Sequence, residues 1–302
     1  MQLPAGLTAR PLTLEDAEAV HAVVAAEEVV DLGEAELTLE DVVADWQRPS
    51  YDVAASTVGV FDGDRLVAYA DLSAPDVAYT AVHPDERGRG IGTALAGWVQ
   101  ERARAAGSTR VGTQVPEGSA ADRLMADLGY EVRWTAWDLE LPEGAEIEAR
   151  PLPAGYGLRD ATEADREAVW TLVEDAFLEW SERERMPLAD FGARVWDRPG
   201  AEPWNLRLLL HGSGATAELV GATHVFLAGD AAYVARVAVR PDHRGRGLAP
   251  AMLVDAFGRA REHGAARCYL STDTRAGARG LYEKVGMVVS STWVNRSVTL
   301  EP

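Results

Sequence analysis

Cysteine is almost missing from this 302-residue chain, and a single copy, Cys268, excludes an internal disulfide. It lies in the alternating run 266–270, which reads as a strand, so a small core residue is expected there and not a nucleophile. Lysine is just as scarce: Lys284 is the only one among 29 basic residues. Acidic side chains number 48, and the formal charge of −19 excludes a nucleic-acid surface built on clustered cations. The same charge suits a cationic substrate, although solubility alone also accounts for it. No apolar run reaches the roughly 20 residues of a membrane span. Residues 1–10 lack the basic, apolar and cleavage regions of a secretory signal, so a cytoplasmic protein is expected. Six scattered histidines show no ligand spacing, so no metal is expected. There is no Gly-x-Gly-x-x-Gly after a first strand and no phosphate loop ending in Lys-Ser/Thr, which disfavours other nucleotides.

What is present is a repeat. Residues 80–92 read TAVHPDERGRGIG and residues 237–249 read VAVRPDHRGRGLA, identical at eight of thirteen positions. Arg87 maps onto Arg244 with an offset of 244 − 87 = 157, and the offset holds to Leu128-Gly129-Tyr130 against Val285-Gly286-Met287. Near the starts the offset is 149, as for Arg10 with Arg159 and Val20 with Val169. The second copy therefore carries eight extra residues (157 − 149), which the Pro-, Gly- and Trp-rich stretch 186–214 is expected to hold as loop. Residues 141–155, LPEGAEIEARPLPAG, read as a linker. The division is 1–142 for an N-terminal domain and 156–302 for a C-terminal one. In the second copy strands are expected near 156–160, 205–211, 218–227, 231–239, 266–271 and 288–300. Helices are expected from a capping box at Thr162, over 247–263 and over 276–285. The first copy repeats this order, giving an α/β (α+β) chain of two tandem domains, each a mixed central sheet flanked by helices.

Each repeated motif lies between an apolar strand and an apolar helical run. That context turns backbone N–H groups and a positive helix end toward an anion, and the glycines let the backbone approach it closely. A phosphate-bearing ligand is expected.

These residues resemble the GNAT superfamily of N-acyltransferases, whose signature is Val-x-Val-x-Pro followed by Arg or Gln, a glycine pair and a final Gly or Ala. Here that is Val237-Ala238-Val239-Arg240-Pro241 with Arg244 to Ala249, and again residues 80–84 with Arg87 to Gly92. The resemblance covers nearly the whole chain and implies acetyl-CoA as co-substrate. It implies that Val237, Ala238 and Val239 bind the pantetheine arm, and that Arg244, Gly245, Arg246, Gly247, Leu248 and Ala249 cradle the pyrophosphate. Thr80, Val82, Arg87, Gly88, Arg89, Gly90, Ile91 and Gly92 are their counterparts. The reaction implied is direct attack of a small-molecule amine on the thioester.

Such a transfer needs an acid for the leaving thiolate. The resemblance assigns it to Tyr282, within Leu281-Tyr282-Glu283-Lys284-Val285-Gly286-Met287. The family's frequent Asn ahead of it is replaced by Asp273, Thr274 and Arg275. Tyr282 corresponds to Met125 in the first copy (282 − 157), which donates no proton, so the first copy is expected to be non-catalytic. Tandem enzymes like mycothiol synthase carry a carboxylate early on the signature strand; here the position is Tyr233, and Asp76 in the first copy. Asp230 is the candidate base, with Glu174, Asp175 and Glu179 as others, while a water-mediated base or none stays open. His224 reads as a satisfied core residue. Trp170, Phe177, Trp180, Trp196 and Trp204, with those acids and Glu182, suit an aromatic pocket for a cationic amine; ordinary core packing of Trp170 and Phe177 is the equal alternative. A polyamine, an aminoglycoside or a cysteinyl amino-sugar conjugate fits as acceptor, and a non-catalytic acyl-CoA-binding module is the other class of function.

Overall fold

The computed structural model describes residues 1–301. The chain forms two compact units: Met1–Ala136 together with the segment from Ser291 onward, and Trp137–Ser290. The first half contributes β1 (Leu7–Arg10), α1 (Ala17–Asp31), α2 (Leu39–Trp46), α3 (Val53–Ser56), β2 (Thr57–Asp62), β3 (Arg65–Ala74), β4 (Val77–Val82), α4 (Ile91–Ala105), β5 (Arg110–Pro116), α5 (Ala120–Asp127) and β6 (Glu131–Leu141). The second contributes β7 (Tyr156–Asp160), α6 (Arg166–Leu178), α7 (Leu188–Val195), β8 (Leu206–His211), β9 (Glu218–Ala228), β10 (Ala231–Val239), α8 (Leu248–Glu262), β11 (Arg267–Asp273), α9 (Arg279–Glu283) and β12 (Val288–Thr299). No helix among the described residues is long and apolar enough to cross a membrane.

In the first unit the strand order is β1-β2-β3-β4-β5-β12, antiparallel except where β4 runs parallel to β5. In the second unit β7-β8-β9-β10 are antiparallel, β10 runs parallel to β11, and β6 lies beside β11. The units thus differ from the sequence halves 1–142 and 156–302. The last strand closes the first unit's sheet, with Thr299 opposite Arg110 and Trp293 opposite Pro116. Residues 137–141 in turn join the second unit, where Leu139 and Leu141 are fully buried beside Phe257 and Met287.

Alternation along the strands places helices on both faces of each sheet. In the first unit Phe61, Leu66 and Tyr69 pack against α1 and α2, while Val60, Val67 and Ala70 pack against Ile91, Leu95 and Val99 of α4. In the second, Leu206, Leu208 and Ala222 meet Val169 and Val173 of α6 and Phe191 of α7. On the opposite face Val225, Val234 and Leu270 meet Leu253 and Phe257 of α8. Each fully buried side chain of this size contributes about 1.5–3 kcal/mol. Both opening helices begin from the same device: Thr13 with Asp16, and Thr162 with Asp165, form capping boxes. Arg10 and Arg159 pair with those aspartates at 2.6 and 2.7 Å. Bonds from Arg10 and Thr13 hold Asp16 down at about 2, and those from Arg159 and Thr162 lower Asp165 likewise.

The eight extra residues lie past 211, so the stretch 186–214 holds only the beginning of the excess. The offset of 149 persists through α2 and α7 (188 − 39) and through β2 and β8 (206 − 57), and the stretch expected as loop contains α7. Four residues lengthen the β8–β9 turn: 211 pairs with 218 where 62 pairs with 65, leaving six residues against two. The other four lengthen the next hairpin, where 223 to 237 spans 14 positions and 70 to 80 spans 10. The expected helix 276–285 is a short α9.

Candidate functional site

The longer hairpin changes the signature strand. In β10, Val234 pairs with Val225 and Arg236 with His224, so Ala235 is a bulge. Parallel pairing with β11 runs from Ala231 to Tyr233 and ends there among the described residues, so the two strands part ahead of Val237, Ala238 and Val239. In the first unit the irregularity falls at Ser73 of β3, opposite the start of β4, and β4 is regular from Ala78 onward. Its pairing with β5 includes Ala78, the counterpart of Ala235 (235 − 157), two positions further along than in the second unit.

Both Gly-Arg-Gly loops have one backbone geometry. Gly88 and Gly90 have φ of 77° and 85°, and Gly245 and Gly247 have φ of 75°. A Cβ at any of the four meets nothing within 4 Å, so left-handed backbone, and not space, demands glycine there. Gly90 and Gly247 are the N-caps of α4 and α8, and neither helix has a side-chain cap. The first-turn N–H groups around Ile91-Gly92 and Leu248-Ala249 therefore point outward without a side-chain acceptor, the geometry that receives an anion. Arg244 is held by Glu179 in a bidentate pair at 2.6 and 2.7 Å and by its own Nε–H on the Val239 carbonyl at 2.8 Å. These donors and conformations fit the diphosphate of an acyl-CoA.

Tyr282 lies on α9, half-buried against the cluster of Leu253, Phe257, Cys268 and Met287, with Val237 packed on the same cluster. Its hydroxyl makes no hydrogen bond among the described residues, and burial alone pushes the phenol up to about 12. A phenol held there stays protonated at every physiological pH, as a proton donor to sulfur requires. Its counterpart Met125 is 3% exposed and packs with Ala96 and Tyr130. The cavity that Ala78, Thr80, Gly112, Met125 and Tyr130 line there measures about 10 Å³. That is no more than a single water needs.

The structure does not bring Asp230 to this place. It is exposed in the turn that opens β10, five residues before the bulge and so about 16 Å of strand away. The acids expected to face a cationic amine are engaged with arginines instead. Glu174 is buried, takes both ends of Arg183 at 2.7 and 2.8 Å and accepts the Met186 N–H at 2.8 Å. Burial works against its charge, but these bonds hold its carboxyl below the ordinary glutamate value. Asp175 pairs with Arg185, and Glu179 with Arg244; Glu182 is exposed. His224 is fully buried and accepts from Arg236 at 3.2 Å through Nδ1. An arginine only donates, so the proton sits on Nε2, and burial with Arg236 and Arg198 keeps the ring neutral. Trp204 is buried in the core, stacks on the exposed His263 at 4.2 Å, and is no pocket wall. Trp170 donates to the Met186 carbonyl, pinning the α6–α7 loop.

Sequence reasoning gave no role to two arginines, Arg236, which it did not name, and Arg275, which it noted only as a departure from the family's Asn. Arg236 follows the bulge and lies 5.3 Å from the Phe191 ring; Arg275 lies 5.3 Å from the ring of Trp180 and pairs with buried Asp273. The signal for Arg236 was a charge inside an otherwise apolar strand.

Residues 23–130 and 166–287 each match the Acetyltransferase (GNAT) family. The mycothiol acetyltransferase of Salinispora arenicola is 32% identical over 255 residues, 79% of this chain and 80% of that protein. That of Streptomyces coelicolor is 29% identical over 243 residues, 76% and 75% of the two. Among solved structures, a GCN5-related N-acetyltransferase from Sphaerobacter thermophilus superposes with a TM-score of 0.77 at 26% identity, covering 100% of this chain and 98% of that one. A tandem GNAT protein from the clavulanic acid biosynthesis pathway superposes at 0.73 with 20% identity, covering 98% and 99%, a likeness of fold.

Proposed function

From the premise that this chain belongs to the acetyltransferase (GNAT) family, we propose that its second unit moves an acetyl group from acetyl-CoA to a primary amine of a small molecule. The observation that carries the reading is the Ala235 bulge, two residues past the last β10–β11 pair, with Tyr282 and the Arg244–Ala249 loop on the same unit. Acetyl-CoA supplies the activated acyl group as a thioester. Backbone N–H groups after the bulge polarise its carbonyl, and the left-handed Gly245 and Gly247 with the α8 N-terminus hold its diphosphate. The amine nitrogen forms the new C–N bond, the C–S bond breaks, the Tyr282 hydroxyl gives its proton to sulfur, and the amine's surplus proton leaves to solvent. Solvent then reprotonates Tyr282. No carboxylate is needed at the amine in this scheme, which agrees with the engagement of Glu174, Asp175 and Glu179 by arginines.

A second, sharper reading takes the acceptor to be a cysteinyl amino-sugar conjugate of the mycothiol kind. It rests on the 32% identity to a protein named mycothiol acetyltransferase over most of both chains. Release of free coenzyme A, followed over a panel of amines that includes that conjugate, tests both. Amine-dependent release supports transfer, preference for the conjugate supports the sharper reading, and acetyl-CoA binding without turnover on any amine points to a non-catalytic module.

A further inference from the structure

The two loops share a backbone but not their charge partners. His243 and Glu86 occupy the same position immediately before the two signature arginines (243 − 86 = 157), and both are buried. In the first unit Glu86 bonds Arg65 and Arg89, and Arg89 also lies 3.5 Å from Asp62. Arg87 is held by Asp31 at 2.7 Å and by Glu27 at 3.2 Å. Both loop arginines there already have carboxylate partners, of which Glu86 is buried and Glu27 and Asp31 are half-buried.

In the second unit His243 stands where Glu86 does and brings no negative charge. Arg240 donates to its Nε2 at 3.0 Å, so its proton is on Nδ1, which donates to the Tyr156 hydroxyl at 2.8 Å. Loss of solvent lowers its pKa against the pull of Asp242, as do Arg240, Arg246 and His211. Arg246 makes no ion pair among the described residues and donates only to neutral oxygens, the Tyr156 hydroxyl at 3.0 Å and the Asp242 carbonyl at 3.2 Å. The remaining arginine, Arg244, has one carboxylate, and that pair is exposed on both sides. An exposed pair exchanges for a phosphate at little cost, whereas removing an arginine from a buried carboxylate strands the charge.

We infer that the residue before the loop, His243 against Glu86, decides which copy takes the coenzyme: the second loop presents a guanidinium free for phosphate, and the first is closed to it by its own acids. The inference rests on the acetyl-CoA reading above.

Calorimetric titration of the full chain with coenzyme A, and with its nucleotide end alone, adenosine 3′-phosphate 5′-diphosphate, tests it. The expected result is one strong site per chain, weakened at least tenfold in His243→Glu and in Arg246→Ala, with unchanged circular dichroism. His243→Gln, which keeps the position neutral, stays within threefold. Glu86→Gln gains a second site for the nucleotide end. Two equally strong sites in the unmodified chain, or Arg246→Ala within twofold of it, would overturn the inference while leaving the coenzyme reading intact. A chain that binds no coenzyme A at all would overturn the reading itself. Arg246 is exposed, so its variant gives an answer even where a buried substitution unfolds the protein.

Discussion

Glu27, beside Arg87 in the first unit, shows how a single side chain carries the electrostatics of its loop. Burial pushes its carboxyl up to about 7, with Arg87 pulling it down less than desolvation raises it. An acid raised in this way holds more protons folded than unfolded. Its contribution to stability is present in full below the ordinary glutamate range and is lost as pH rises through about 7. The shift corresponds to about 3 kcal/mol. Glu27→Gln should therefore gain on the unmodified protein as pH rises. Thermal melts should place the difference in Tm between them about 5 °C higher at pH 8.5 than at pH 5. An equal difference at both pH values contradicts this placement of Glu27. At the same scale, arginine partners were the least legible feature of the sequence. Glu174, Asp175 and Glu179 read as a surface for a cation, because nothing in the order of residues shows that Arg183, Arg185 and Arg244 fold back onto them.

Among the elements, the hairpin of β9 and β10 separates the copies most. Ala235 is one residue inserted between two regular stretches of pairing, and the parallel ladder to β11 ends two residues before it. Deleting Ala235 should restore an unbroken register like that of β4 from Ala78 onward. The expected outcome is a folded protein whose kcat/KM for amine-dependent thiol release drops at least about 100-fold, the scale that misplaced reacting groups cost. Activity within threefold of the unmodified chain would show that the bulge does not shape the site. The elements themselves were largely legible: periodicity marked the strands, the capping box at Thr162 marked an opening helix, and the repeat marked both loops. The bulge was not, because alanine in a strand carries no signal of a broken register. The same blindness put the extra residues into 186–214, where turn-rich composition hid α7.

Across the whole molecule, the two repeats are not two self-contained halves. The first unit's sheet is completed by residues 293–299, which pair along β5, and Val298 and the following Leu300 join its core. Ending the chain at Ser290 should therefore expose β5. Hydrogen exchange should show Arg110–Pro116 losing protection, with precipitation or a lowered first melting transition. Retained protection of β5 contradicts the exchange of strands. Alternating patterns in β6 and β12 named them strands but not their partners, since a half-buried strand reads alike against either sheet. What the tandem arrangement leaves is one unit with a bulged signature strand, a loop arginine that has no carboxylate among the described residues, and a phenol, and one with a signature strand regular from Ala78 onward, paired loop arginines and Met125. The measurement that bears most directly on this is kcat for amine-dependent release of coenzyme A by Tyr282→Phe, taken with acetyl-CoA KM and a thermal melt. One working site predicts a fall of at least about 100-fold in kcat, with KM within threefold and the melt unchanged; a kcat within threefold of the unmodified protein would place the proton donor, and the transfer, elsewhere.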